Sequence, residues 1–256
     1  MIKKLIPLLS VFFVFGCASP QDIIKVTSIE KNIDWLWGKQ VVTKEINGLT
    51  VAVKFERTHK RFMVFDVEIL NNKDSKITIS PTDFKMKPIV DSGLYHYGMN
   101  ALDPEDLLLA LDKKISRNKA AQSNAEMTSL ILNTAAATAD IAMTMSKKDT
   151  PEKSRERDES RKELSYSTQS NINYKYAKGD QLQQQREYYA TSLLRKTTLY
   201  KGESIRGYIY IPKNTEFNPF QLILNLAPGE LRFNFKQESI PAYHNYSSEQ
   251  PGSWYP

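Results

Sequence analysis

Two stretches of this chain alternate apolar and polar residues, and the stretch between them repeats apolar residues at helical spacing. Leu49, Val51, Val53 and Phe55 share one parity and Thr50, Ala52 and Lys54 the other, which predicts a half-buried strand. Val41 to Ile46 precedes it as a weaker strand. Asn47-Gly48 joins the two, because both residues tolerate the positive φ of a type I′ hairpin turn. Arg61 to Leu70 follows, with Met63, Phe65, Val67 and Ile69 on one side and Asp66 and Glu68 on the other. Asn71 to Asp74 turns the chain, and Ile77 and Ile79 carry the pattern to Ser80-Pro81. The same grammar returns at Ser204 to Ile211, at Leu222, Leu224 and Leu226, and at Leu231, Phe233 and Phe235. Some seven or eight strands in two groups, roughly evenly punctuated by turns, predict an antiparallel sandwich.

Residues 95–194 read differently. Asp103-Pro104-Glu105-Asp106 is a helix start, with Asp103 as N-cap, Pro104 in the first turn and acids at the positive end of the helix dipole. Leu107, Leu108, Leu111 and Ile115 then recur at helical spacing. Ser123-Asn124-Ala125-Glu126 has the form of a capping box and predicts a second start. Ala125 to Met145 is apolar and rich in small residues, interrupted by Glu126, Asn133 and Asp140. Three readings of this run stand side by side: a helical hairpin burying its own apolar faces, a surface for a partner or a second copy through 104–146, and membrane insertion. Asp140 would oppose insertion by a few kcal/mol. Lys147 to Glu163 is a nearly balanced charge run, read as a solvated helix or a link. Ile172, Tyr174 and Tyr176 alternate and predict a short strand within Thr168 to Ala177, after which Gly179-Asp180 opens a last helix through Leu194.

The start of the chain changes the picture of where the protein works. Lys3 and Lys4 precede an apolar run from Leu5 to Phe15, too short to span a bilayer as a mature helix and laid out like a secretory signal. Val14-Phe15-Gly16-Cys17 resembles the lipobox of bacterial lipoproteins, although Phe15 is larger than the residue usual at its place. The resemblance implies cleavage after residue 16 and several acyl chains on Cys17, enough for stable anchoring. Ala18 stands where an Asp would imply retention at the inner membrane in enterobacterial lipoproteins, so the resemblance leans toward the outer membrane. Residues 17–34 then read as a lipidated tether and 241–256 as a flexible tail. Cys17 is the sole cysteine, so disulfides and a cysteine zinc site are excluded. The formal charge of +6 loses Lys3 and Lys4 on cleavage. What remains suits an anionic membrane, and no dense basic stripe argues for nucleic acid.

Phe65-Asp66-Val67-Glu68-Ile69-Leu70-Asn71-Asn72, followed by Ile77 to Phe84, resembles the middle of the immunoglobulin-like modules of bacterial envelope lipoproteins. Leu199 to Pro212 resembles their closing strands. The resemblance covers turn and core positions and implies an extracytoplasmic, non-catalytic module. The expected architecture is mainly β with an α insertion: an antiparallel immunoglobulin-like β-sandwich over 35–94 and 195–240, interrupted by a helical insertion at 95–194.

Chemistry is sparse. His59, His96 and His244 have no partner at metal spacing, and no nucleophile elbow, phosphate-binding glycine loop or calcium loop is present. No catalytic residue, metal or cofactor is expected. Tyr95-His96-Tyr97 is either an aromatic plug at the insertion junction or a ligand contact. Tyr208 and Tyr210, on the side opposite Ile205, Ile209 and Ile211, form either a recognition patch or a floor covered by the insertion. The expected function is binding or assembly at the cell envelope. The alternative is hydrolysis of cell-wall or surface polysaccharide, with Asp83, Asp91 and Asp103 as the junction acids.

Overall fold

A computed structural model describes residues 22–89, 98–144, 150–226 and 229–241. Two five-stranded antiparallel sheets pack face to face, and two long helices are inserted into one edge. The first sheet has the order β1 (Ile23–Ser28), β12 (Gly229–Ile240), β11 (Phe220–Leu226), β7 (Phe84–Pro88), β8 (Met99–Asn100). The second runs β10 (Ser204–Pro212), β5 (Phe62–Asn71), β4 (Leu49–His59), β3 (Lys39–Ile46), β2 (Asp34–Leu36). A two-stranded piece, β6 (Ile77–Ile79) with β9 (Thr197–Leu199), closes one side. The alternating rows decide which face each strand buries. Leu49, Val51 and Val53 meet Phe65, Val67 and Ile69 inside, and Leu222, Leu224, Phe233 and Phe235 oppose them from the first sheet. Phe65 is the hinge pin of this core, its ring 5.5 Å from Phe235 and 6.4 Å from Phe220.

The tether expected over 17–34 is corrected within its second half. Ile23–Ser28 is a strand, paired antiparallel with β12 from Ile23↔Ile240 to Ser28↔Phe235. The edge of β12 would otherwise present a row of open backbone groups, and this short segment covers it. Ser28 N donates to Gln40 Oε1 at 2.7 Å, and Lys44 Nζ donates to Glu30 Oε1 at 2.7 Å, which ties the crossing segment to the second sheet. The boundary at 95 also shifts, because β8 belongs to the first sheet.

The insertion is one hairpin of two unbroken helices, α1 (Pro104–Thr144) and α2 (Pro151–Ser192), each about 60 Å long at the usual rise. Asp103 Oδ1 accepts from Glu105 N at 2.9 Å, and Thr150 caps α2 through Lys153 N. The second start at Ser123 and the strand over Thr168 to Ala177 are both overturned: Ser123 lies in mid α1, and 168–177 is helix throughout. Gly179 opens no new helix either. It lies inside α2, pressed on α1, where an added Cβ would come 2.7 Å from Gln122 Nε2 and 2.9 Å from Asn118 Nδ2. Those two amides donate to the carbonyl of Lys175 at 3.0 and 2.9 Å, a clasp that needs the missing side chain. The less exposed residues stand three or four apart on each helix: Leu108, Leu111, Ile115, Asn118, Gln122 and Ala125 along α1, and Leu164, Thr168, Ile172, Lys175, Gly179 and Leu182 along α2. This is the spacing of a coiled coil in which polar and small residues alternate with Leu and Ile. Arg186 with Asp112, and Asp140 with Arg157 and Arg161, hold its register at two heights. No described helix is long and apolar enough to cross a membrane.

Candidate functional site

The foot of the hairpin stands on the outer face of the second sheet. Leu102 N donates to Tyr210 O at 2.8 Å as the chain leaves β8, and Leu194 N donates to Tyr208 O at 3.0 Å as it returns. The return passes directly over Gly207, where a Cβ would lie 2.5 Å from Leu194 N, so this crossing requires glycine. Glu105 and Arg195 join the two feet, with Arg195 Nε and Nη2 donating at 2.7 and 2.8 Å. Leu107, Tyr189 and Leu193 then pack on Phe62, Val64 and Tyr210 as a second small core outside the sheet.

Aromatic rings crowd this junction. Tyr210 is only 4 % exposed and meets Tyr189, Phe62 and His59 edge-on at 6.0, 6.0 and 6.3 Å. Burial, then the neighbouring hydroxyls of Tyr188 and Tyr189, push the Tyr210 phenol up to about 12. Burial lowers the His59 imidazole below its ordinary value, and the charges of Lys60 and Arg57 add to that, so its neutral form is favoured. Arg57 donates from Nη2 to the Tyr188 hydroxyl at 2.7 Å and lies 5.6 Å over the Tyr208 ring. Tyr208 is half-buried. The two tyrosines of β10 therefore form a floor under the insertion. Tyr188, Tyr189 and Arg57 complete it and were not singled out from the sequence. The adjacent pair Tyr188-Tyr189, one turn before the end of α2, is the signal that was there.

Beside the junction, on the same outer face, charges form a ladder across four strands. Asp66 is 7 % exposed and accepts from Arg206 Nε and Nη2 at 3.0 and 2.7 Å, with Lys54 Nζ at 3.1 Å. Lys54 and Lys39 both pair with Glu56, at 3.4 and 2.5 Å. Burial alone would raise the Asp66 carboxyl, but the hydrogen bonds and charges of Arg206 and Lys54 outweigh it and hold the group below its usual range. Three cations thus share two carboxylates, and each of the five groups has a partner of opposite charge.

The distal half of the hairpin is built the opposite way. Met127, Leu130, Ile131, Ile141 and Met143 on α1 are each more than half exposed. Leu130, Ile131, Thr134, Ala135, Thr138 and Ala142 line one shallow apolar groove facing away from α2. The facing half of α2 begins with charged residues, and its seam positions there include Arg157 and Arg161.

Of the other sequence candidates, Cys17, Tyr95, His96, Tyr97 and Asp91 lie outside the described residues. Asp83 and Asp103 are both committed to backbone caps, Asp83 Oδ2 accepting from Ser80 N at 2.7 Å in a capping box. Burial raises the Asp83 carboxyl, offset in part by Ser80 N and Lys196. Among the described residues no three His, Cys, Asp or Glu side chains converge as a metal site. Compared with known proteins, the chain matches no family model, no curated protein and no solved structure.

Proposed function

We propose that this is a lipid-anchored, non-catalytic protein of the bacterial cell envelope, whose helical hairpin is an arm for binding or assembly. The observation that carries the reading is the outward apolar face of distal α1. Met127, Leu130, Ile131 and Ile141 project from an arm that, among the described residues, is held to the body at its foot. Exposed contiguous apolar surface is costly in water and marks contact with another molecule. Small residues between the large ones, Ala135, Thr138 and Ala142, let a second backbone approach closely. The two packed antiparallel sheets are consistent with an immunoglobulin-like module carrying this arm, as the Phe65 to Phe84 and Leu199 to Pro212 segments resemble. The lipobox-like Val14 to Cys17 supports anchoring through Cys17, with the outer membrane favoured by Ala18.

The test is a photo-cross-linking amino acid at Ile131 in living cells, with one at exposed Ser165 on α2 as control. A discrete adduct from Ile131 and none from Ser165 is the expected result. Its mass identifies an envelope partner or a second copy of this chain. Absence of any adduct from Ile131, Leu130 and Ile141 alike would reduce the arm to a spacer.

A further inference from the structure

We propose that one end of the β body, gathering Lys60, Arg61, Lys213 and the Trp35–Trp37 hairpin, is the face set against an anionic lipid surface. The strand register brings these residues together. The β4–β5 turn is Lys60-Arg61, between the paired His59 and Phe62, and Lys60 is in the left-handed region at φ 52°. β10 ends level with it, Pro212 opposite Phe62, and Lys213 N donates to Arg61 O at 2.8 Å. β1 begins there too: Asp22, Ile24 and Ser239 share a concave surface with Lys60, Arg61 and Lys213. On the neighbouring edge, Lys39 pairs with Glu56, so the β2–β3 turn just beyond Lys39 points to the same end as the β4–β5 turn. Trp37, at φ 53° in that turn, is 91 % exposed, and Trp35, Leu36 and Ile23 are exposed with it.

The cations of this end differ from those tied down along the strands of the second sheet and its turns. Lys39, Lys44, Lys54, Lys201, Arg206 and Arg232 each have a carboxylate partner. Among the described residues, Lys60, Arg61 and Lys213 have none. Arg61 instead stacks at 5.3 Å on Phe62, and Asp22, the carboxylate lining the surface, accepts from Ser239 Oγ at 3.0 Å. Among the described residues nothing packs on the Trp37 indole in its left-handed turn, so the described fold gives no reason for its bulk. Indoles favour the water–bilayer interface, and unpaired cations favour anionic headgroups. The occupant follows from the lipobox-like Val14 to Cys17. The proposal rests on the reading of Cys17 as the lipid site, five positions before Asp22, which holds this end within about 17 Å of the bilayer.

The two readings fail separately. Intact mass of the full chain from cells reports acylation, and an unmodified mass or one unchanged by Cys17→Ser overturns the anchor. The lipid face is read independently, in a Trp254→Phe background, from quenching of Trp35 and Trp37 by brominated lipid. Vesicles are phosphatidylcholine alone or with about a third phosphatidylglycerol. The expected result is strong quenching and a blue shift on the anionic vesicles, with the K60Q/R61Q/K213Q variant losing most of both. If the chain proves unacylated, co-sedimentation with the same vesicles decides: the triple variant should partition about tenfold less on the anionic ones. No quenching, or binding indifferent to phosphatidylglycerol and to the three cations, overturns the proposal in either case.

Discussion

Asp66 shows how one residue ties the outer face of the second sheet together. Its carboxylate is nearly buried and receives Arg206 and Lys54, so removing its charge leaves Arg206 without its carboxylate and Lys54 with Glu56 alone. Asp66→Asn should lower stability by about 2 kcal/mol at neutral pH. The pH dependence has a definite sign. The carboxyl is held below its ordinary value in the folded protein, so its contribution is complete above the unfolded pKa of about 4 and is lost as pH falls through the depressed folded value. Urea titrations at pH 7 and at progressively lower pH should show the gap between native protein and Asp66→Asn closing with acidification. A gap constant with pH would mean that the loss is steric. The parity that sets Asp66 outward was legible in the sequence. Its burial was not, because that depends on Lys54 and Arg206 arriving from two neighbouring strands.

At the scale of elements, the hairpin is the instructive case. Its α2 strip carries Thr168, Lys175 and Gly179 where a stronger coil would carry Leu, so local pattern reading breaks it into a strand and a late helix. The exposed Tyr174 and Tyr176 supply a false alternation with Ile172, since a helix turns them away from the seam. What keeps α2 whole is the opposite helix, which contributes the Asn118 and Gln122 clasp and the ion pairs of Asp112 and Asp140. Gly179→Leu should wedge the helices apart there. The expected outcome is a lower-temperature loss of helical circular dichroism at 222 nm, with the β body melting as before. Gly179→Ala should be milder, its better helix propensity offsetting part of the lost clasp. A single unshifted transition for Gly179→Leu would show that the clasp carries no strain-sensitive contact.

For the whole molecule, the question is whether the arm and the body are separable. Among the described residues they meet at the tyrosine floor, and Glu105 and Arg195 bring the two ends of the insertion side by side. Replacing 104–192 with a short Gly-Ser linker should therefore leave a cooperatively folded β body. It should also uncover Tyr210. With Tyr188 and Tyr189 gone and water admitted, the phenol should fall from about 12 toward its ordinary 10, followed by absorbance at 295 nm. In the intact protein the raised value means that Tyr210 adds stability below pH 10 and loses it as pH rises through about 12. An excised body in which Tyr210 still titrates near 12 would show that the sheet alone buries it.

Local physics alone determined much of this protein. Period-two rows such as Leu49 to Phe55 and Arg61 to Leu70 settle which residues face the core, since neighbouring side chains of a strand must point to opposite sides. Asp103-Pro104 likewise starts α1 from its own residues. The lipobox-like pattern at Val14 to Cys17 is also local sequence that needs no fold to be read. Tertiary structure decided the rest. Ile23–Ser28 becomes a strand because β12 offers it an open edge, α2 stays continuous because α1 lies against it, and Gly207 is required because the returning chain crosses it. The end that gathers Lys60, Arg61, Lys213 and Trp37 draws them from three separate segments. No local pattern contains that convergence, because only the pairing of strands distant in sequence creates it.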